Sequence, residues 1–435
     1  MLILYSIILY LLVPVVIVKL AWAGLRNRGY YQRWPERFGF VHLPAAIRPR
    51  IWIHAVSVGE VQAAVPLVLR LRQNFPQYEL LVTTVTPTGS IMVKQRLGAE
   101  ILHTFLPYDL PGAIRRYLDV VTPELLIVME TEIWPNLFHQ CSARGIKIIL
   151  ANARLSQRSC TGYARIGAFT SRVLNNIDFI AAQTEADASR LINLGADSDR
   201  VAITGNLKFD VEIPDTVITR GHALRRTIGM DRPVWIAAST HEGEEEVVLA
   251  EHRRITGKLP ECLLILAPRH PERCTTVAGL CQRAGLAVIR KSQSALAQSG
   301  SFSNDINVLL LDTIGELPVF YAAADVAFVG GSLLPGMGGH NVLEPASLGV
   351  PVITGIYTSA FAEIILTLRE RSAILQIPEP AQLSENVLRL LSDQILRKQI
   401  GEQAKVWIKN NQGSVERVMK FISYILQTTR RPPGV

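Results

Sequence analysis

Five cysteines in 435 residues, at 141, 160, 262, 274 and 281, form no CxxC pair and have no histidine at metal-ligand spacing. That excludes a disulfide framework and a zinc ribbon, and the thiols read as buried groups of a reducing compartment. Aromatic residues are scarce, at 7%. No zinc-finger, basic-zipper or aromatic-basic RNA-binding pattern occurs, which argues against nucleic acid as a partner. No GxxxxGK[ST] loop is present, which argues against a P-loop NTPase. Charge is thin as well, 19% of residues with a net +8, and it is unevenly placed. Lys19, Arg26, Arg28, Arg33, Arg37, Arg48 and Arg50 stand against Glu36 alone, so seven cations and one anion give residues 1–50 a net +6. The other 385 residues carry +2.

Aliphatic residues are plentiful instead. The chain is 49% hydrophobic, enough for two or three domains of ordinary size. Residues 2–18 contain no charge. With the Lys19 stem reaching toward headgroups, the apolar run continues through Ala23, long enough for a hydrocarbon core of roughly 30 Å. Residues 1–23 therefore read as a membrane anchor. Ala21-Trp22-Ala23 resembles a small-x-small cleavage site, but a charged n-region is missing and the run exceeds the usual h-region of about 7 to 15 residues. Residues 24–50 then form a basic interfacial neck, and positive flanks keep the body of the protein on the cytoplasmic side. A half-buried hairpin on a hydrophobic patch is the alternative for residues 1–23, and it too places the body against lipid.

After residue 50, short β-rich runs alternate with amphipathic segments. Strands are expected at 50–56, 79–86, 125–129 and 147–152, with helices at 60–74 and 88–97 and a strand-like run at 201–204. The pattern restarts with strands at 233–238, 263–267, 287–290, 308–311, 326–330 and 351–354. This predicts an α/β chain of two doubly wound, Rossmann-like domains. The boundaries read as 51–205, a linker over 206–220, and 221–435. Such sheets bind ligands at the carboxyl ends of their strands, in a cleft between the two domains.

The loop Ser57-Val58-Gly59-Glu60 has two readings. It fits a capping box. Equally, Gly59 lets a substrate approach, and Glu60, held ionised at a helix N-terminus, accepts a hydroxyl proton. Glu130 and Glu132 follow an apolar strand together with Trp134 and Asn136, which places one of the two acids in the cleft. Arg154 follows the next strand, and Lys208 ends the first half. In the second half, Pro268 to Arg273 forms a proline-fixed loop offering Arg269 and perhaps Arg273 to a phosphate. Gly330-Gly331-Ser332 and Gly338-Gly339-His340-Asn341 precede a helix carrying Glu344, an arrangement in which free backbone N–H groups bind an anion and Glu344 accepts from a ribose diol. Together they favour a nucleotide mono- or diphosphate. Asp197-Ser198-Asp199 lies in a polar turn before a strand, so no metal is implied.

The ordered blocks SVGE, TTVTPTGS, LPYDLP, METEIWPN, ANARLS, GNLKFD, STHEGEE, APRHPER, GGSL and GGHNVLEPA resemble those of the bacterial lipid A Kdo (3-deoxy-D-manno-octulosonate) transferases, from the anchor to about residue 420. The resemblance implies a membrane-anchored, inverting, metal-independent glycosyltransferase of the GT-B fold at the inner membrane. It implies CMP-Kdo as donor, a tetraacyl disaccharide lipid A precursor as acceptor, and no cofactor. By motif, Glu60 resembles the catalytic base, and Glu130 and Lys208 resemble residues that support the transition state. Pro268 and Arg269, Ile314-Gly315-Glu316, and Asn341, Val342, Leu343 and Glu344 resemble the CMP-binding positions. The loop Leu333 to Met337 is longer than the family's pattern. A GT-B-like sugar-nucleotide epimerase and a non-catalytic, membrane-tethered nucleotide-binding protein are the rival readings.

Overall fold

The alternating pattern produces two seven-stranded sheets in which every ladder is parallel. The computed structural model describes residues 1–26, 28–44, 47–98, 100–293 and 302–429. It divides into one unit of residues 1–210 and 411–435 and another of residues 211–410.

In the first unit, β1 (Arg50–His54), β2 (Glu79–Thr84), β3 (Leu102–Phe105), β4 (Pro123–Met129), β5 (Lys147–Ala153), β6 (Phe179–Ala182) and β7 (Val201–Ile203) run in the order β3-β2-β1-β4-β5-β6-β7. Both faces are covered, so successive residues of one strand serve different cores. Ile51 and Ile53 pack with Leu67 and Leu71 of the helix Val58–Asn74. Trp52, between them, packs with Tyr117 and Leu118 of the helix Pro111–Val121.

The second unit contains β8 (Val234–Thr240), β9 (Leu263–Pro268), β10 (Val288–Arg290), β11 (Val308–Leu310), β12 (Val326–Val329), β13 (Val352–Thr354) and β14 (Leu375–Gln376), in the order β10-β11-β9-β8-β12-β13-β14. β3, β6 and β14 were not expected from sequence. β3 includes a histidine, β6 is half alanine, and β14 has two residues, so none carries a β-branched run strong enough to mark a strand.

Two expected boundaries change. Residues 206–220 are not a free linker: Leu207 lies in the core of the first unit, and the helix Asp215–Ile228 has already begun. The second domain does not run to the end of the chain either. The helix Ser414–Thr429 places Val418, Met419, Ile422 and Leu426 in the first unit's core and stacks Phe421 on Phe179 at 3.6 Å. Asp210 fixes its start by accepting from the Gly413 and Val415 N–H groups. Residues 430–435 lie outside the described residues.

The neck is also built differently from its charge count. Arg37 is 2% exposed and Arg50 is 1% exposed. Arg50 pairs with Glu79 at 2.9 Å and donates to the Pro44 carbonyl at 2.6 Å. Arg37 donates to the Val85 carbonyl and lies 4.4 Å from the Phe105 ring centroid. Arg33 pairs with Glu36 at 2.6 Å and donates to the His103 carbonyl. These three cations therefore tie the neck to the sheet, and Arg37 and Arg50 are buried and so are not presented to lipid headgroups.

Candidate active site

A parallel sheet opens a crevice where its strand order reverses, beyond the carboxyl ends of the strands. In the first unit this is the β1/β4 junction. Ser57, in extended backbone, begins the helix Val58–Asn74 but makes no side-chain bond to a helix N–H. Instead its hydroxyl donates to Glu60 Oε1 at 3.0 Å, and the Val56 N–H donates to Oε2 at 2.8 Å. The capping reading is thus met only from the glutamate side, through Val56.

Glu60 is 8% exposed. Burial pushes its carboxyl up to about 7; the bonds from Val56 and Ser57 pull it down, while the charges of Glu130 and Glu132 add to the rise. The expectation that the helix terminus holds Glu60 firmly ionised gives way: desolvation and two neighbouring carboxylates win, and the group is poised near neutrality. Burial likewise raises Glu132, with Glu130 adding to it. The space over Gly59 is open. A Cβ there would meet only Ser57 Oγ, at 3.9 Å, so no internal packing requires glycine in this first helical turn.

Glu130 follows β4 with a left-handed backbone, φ 56°. For a residue with a side chain this is strained, and such strain collects at functional loops. Its carboxylate lies 3.9 Å from Lys208 Nζ. Lys208 sits in the short turn Leu207–Phe209, whose start is held by the Asn206 side chain and by the Leu207 N–H donating to Asn152 Oδ1 at 2.9 Å. Asn152 also has φ 56°. Glu60, Glu130, Glu132 and Lys208 are thus gathered at one end of one sheet. Arg154 is exposed.

The second unit reverses order at β8/β12, and there the sequence reading is corrected. Glu244, 1% exposed and absent from the expected site, accepts from the N–H groups of His241 (3.0 Å), Gly331 (2.7 Å), Ser332 (3.0 Å) and Leu333 (2.9 Å). The Gly339 N–H bonds the Gly331 carbonyl at 2.8 Å. The glycine-rich turns therefore spend these donors internally and do not offer them to a phosphate. Arg273 is committed too, to Glu242 at 3.3 Å and buried Glu245 at 3.1 Å.

Arg269, the other arginine of the loop, is placed by its N–H bond to the Thr240 carbonyl beside Pro268, the last residue of β9. Near it, His241 Nε2 and His340 Nε2 are 2.7 Å apart with nearly parallel rings. Burial, then the charges of neighbouring histidines and Arg269, pushes His340 down to about 3. His241 is also lowered, chiefly by burial. One neutral imidazole therefore donates to the other at pH 7. Sequence gave no signal for this pair, since the two histidines are 99 residues apart.

Asn341 donates from Nδ2 to Glu344 Oε1 at 3.1 Å and accepts from the Leu343 N–H at 3.0 Å. Val342 and Leu343 are buried. Ile314 is 85% exposed and Gly315 has φ 84°. Burial raises the Glu316 carboxyl, but bonds from Lys291 and Thr313 and the charges of Lys291 and Arg220 outweigh it and hold the group below its ordinary range. Asp197 caps the turn of the Asp-Ser-Asp run by accepting from the Asp199 N–H. Among the described residues no group of three His, Cys, Asp or Glu side chains is placed to hold a metal ion. All five cysteines are free thiols; Cys160 is half-buried and the others are buried.

Residues 32–211 match the family model of the 3-deoxy-D-manno-octulosonic-acid transferases, and residues 231–407 match that of the group 1 glycosyl transferases. A 3-deoxy-D-manno-octulosonic acid transferase of Haemophilus influenzae is 40% identical over 97% of this chain and 98% of its own. One from Bordetella pertussis is 37% identical over 92% and 94%. Among solved structures, a putative UDP-N-acetylglucosamine 2-epimerase from Listeria monocytogenes covers 89% of this chain and 99% of its own, with a TM-score of 0.51 and 14% identity. That likeness shows the two-domain GT-B fold alone.

Proposed function

Because the chain belongs to the 3-deoxy-D-manno-octulosonic-acid transferase family of glycosyltransferases, we propose that it moves Kdo from CMP-Kdo to a tetraacyl disaccharide lipid A precursor. The observation that carries the mechanism is Glu60: a buried carboxyl near neutrality, beside open space over Gly59, in the crevice of the first unit.

In this reading an acceptor hydroxyl loses its proton to Glu60 as its oxygen bonds the anomeric carbon of Kdo. The bond from that carbon to the phosphate breaks on the opposite face, and CMP leaves with the electron pair, which inverts the configuration. A base matched to the working pH is the efficient one. Glu130 raises Glu60 electrostatically and partners Lys208, whose cation then meets negative charge on the reacting sugars. On the second unit, Pro268 and Arg269, Ile314 to Glu316 and Asn341 to Glu344 hold CMP, with Arg269 facing the charge that develops on the phosphate. Gly331 to Leu333 are committed to Glu244, so their N–H groups do not contribute to stabilising that charge. The step balances without a metal or cofactor.

We place the protein at the bacterial inner membrane with its catalytic units on the cytoplasmic face, held by its N-terminal helix. The helix Leu2–Leu25 is long and apolar enough to cross a membrane, and Lys19 and Arg28 near its end are exposed, as positive flanks on the cytoplasmic side require.

The test is purified enzyme with CMP-Kdo and the lipid A precursor, the products weighed by mass spectrometry. Acceptor gaining the mass of a Kdo residue (Kdo less one water), with matching CMP release, is expected, and the mass counts how many Kdo residues are added. Turnover of a UDP-sugar with no acceptor would favour the epimerase instead, and nucleotide binding without product would leave only a scaffold.

A further inference from the structure

The first eighteen residues of the chain contain three side chains able to hydrogen-bond, Tyr5, Ser6 and Tyr10, and all three reach the first unit. The Tyr5 hydroxyl donates to Asp109 Oδ2 at 3.0 Å, and its ring meets Phe169 at 5.9 Å. Ser6 donates to Asn136 Oδ1 at 3.0 Å. The Tyr10 hydroxyl accepts from the Gly112 N–H at 3.2 Å, a donor in the first turn of its helix that has no partner within that helix. Asp109 is itself 3% exposed and accepts from the Asn136 and Leu137 N–H groups, at 2.9 and 2.8 Å. Tyr5 therefore completes the shell of a buried carboxyl.

Further along, Leu20 is 7% exposed and Gly24 is buried against the Tyr31 ring. The opposite face is bare: Ile3, Ile7, Leu11, Val18, Trp22 and Leu25 are between 51% and 78% exposed. Their spacing of four, four, seven, four and three residues traces one side of a helix. Lys19 and Arg28 are exposed at the end of this face, and Arg165 and Ile166 are exposed three to four residues from Phe169.

A helix of 25 residues is about 37 Å long at 1.5 Å per residue. Crossing a core of roughly 30 Å would consume nearly all of it. Its first turns would then stand on the far side, away from the folded unit that Tyr5, Ser6 and Tyr10 bond. Resting on the membrane attachment proposed above, we infer that the helix lies along the first unit with its axis in the membrane plane. Only its outer face enters one leaflet of an anionic phospholipid bilayer. An in-plane helix needs an apolar side to meet acyl chains and cations to meet headgroups. The bare stripe supplies the first, and Lys19, Arg28 and Arg165 supply the second. The inner face is kept by the protein, so the Tyr5 and Ser6 hydroxyls stay out of hydrocarbon, while Tyr10, 50% exposed, stands at the edge of the two faces with its hydroxyl on the Gly112 N–H.

Topology decides the matter, tested on the full chain in bacterial membranes. One cysteine is placed in a short polar extension before Met1, and another by Glu185→Cys on an exposed position of the body. Each is exposed to a membrane-impermeant maleimide in spheroplasts and in everted vesicles, with the unmodified chain as background. Both thiols reacting in the same preparation is expected. Reaction of the extension in spheroplasts and of Glu185→Cys in everted vesicles would show a spanning helix and overturn the inference. A second measurement is Ser6→Cys with Asn136→Cys and a short bifunctional thiol reagent. A link within the membrane-bound protein is expected, and its absence from a folded, membrane-bound sample refutes the latched geometry. Transfer of Kdo is assayed separately, so a failed activity assay leaves both readouts intact. Failure to sediment with membranes would instead refute the attachment itself.

Discussion

Replacing Glu60 by glutamine separates catalysis from structure. The amide keeps the size of the side chain and mimics the protonated carboxyl, but it cannot take a proton. Loss of a general base costs about 10²- to 10⁴-fold in rate, and kcat should fall by that much with CMP-Kdo and the lipid A precursor. Stability should move the other way. The native carboxyl titrates at about 7 against an ordinary 4.5, so between these values the folded state holds a proton that the unfolded chain has released. The stabilising contribution of the protonated group is complete below pH 4.5 and is lost as pH rises through 7. At about 1.4 kcal/mol per pH unit, the loss above pH 7 amounts to about 3 kcal/mol. Glu60→Gln should lack this loss and melt above the parent protein at pH 8, with little difference at pH 4.5. In the parent, kcat/KM should rise roughly tenfold between pH 6 and 8 as the base ionises. Calorimetry across pH beside the rate profile gives both readouts. Near-parental turnover by a folded Glu60→Gln protein, or a rate profile flat through neutrality, would sink the base assignment.

Four further outcomes follow from the same geometry. Gly59→Ala should hold or raise Tm, since alanine gains about 1 kcal/mol over glycine within a helix and meets nothing closer than 3.9 Å. Its activity should nevertheless fall at least tenfold; unchanged kinetics would mean no substrate uses that space. Lys208→Met should cost roughly 10- to 100-fold in kcat, the worth of a charge-assisted hydrogen bond, with Kd for CMP unchanged by titration calorimetry. Arg269→Ala should weaken CMP binding by a similar factor, and equal affinity in the variant would remove Arg269 from the phosphate site. Glu244→Ala leaves four backbone donors without their carboxylate and should destabilise the second unit by at least about 3 kcal/mol, seen as a separate early melting transition.

The sequence disclosed what depends on neighbours along the chain. Glu130 was legible because it directly follows an apolar strand, Glu60 because it opens the helix after one, and most strands of both sheets were legible from their β-branched runs. Glu244 was not, because three of its partners lie 87 to 89 residues away. A glycine-rich turn looks the same whether its N–H groups face a ligand or a buried carboxylate of its own chain. Arg37 and Arg50 misled for a related reason: charge counts assume exposure, and these cations are buried among carbonyls, an aromatic ring and one glutamate. The first eighteen residues carry only Tyr5, Ser6 and Tyr10 as polar marks among aliphatic residues on all sides, too few for periodicity to say which face meets protein.

The return of the C-terminal helix to the first sheet also orders events during synthesis. That helix supplies Val418, Met419, Ile422 and Leu426 to a core otherwise made by residues before 210. A ribosome adding about 5 to 20 residues per second needs about 10 to 40 s to make the 200 residues of the other unit. Through that interval the half carrying Glu60 waits with an open face, while the half made of residues 211–410 can close as soon as it emerges. Chains ending at residue 410 and held clear of the ribosome by an unrelated C-terminal extension should accordingly protect residues 211–410 from protease and leave the older, N-terminal half susceptible.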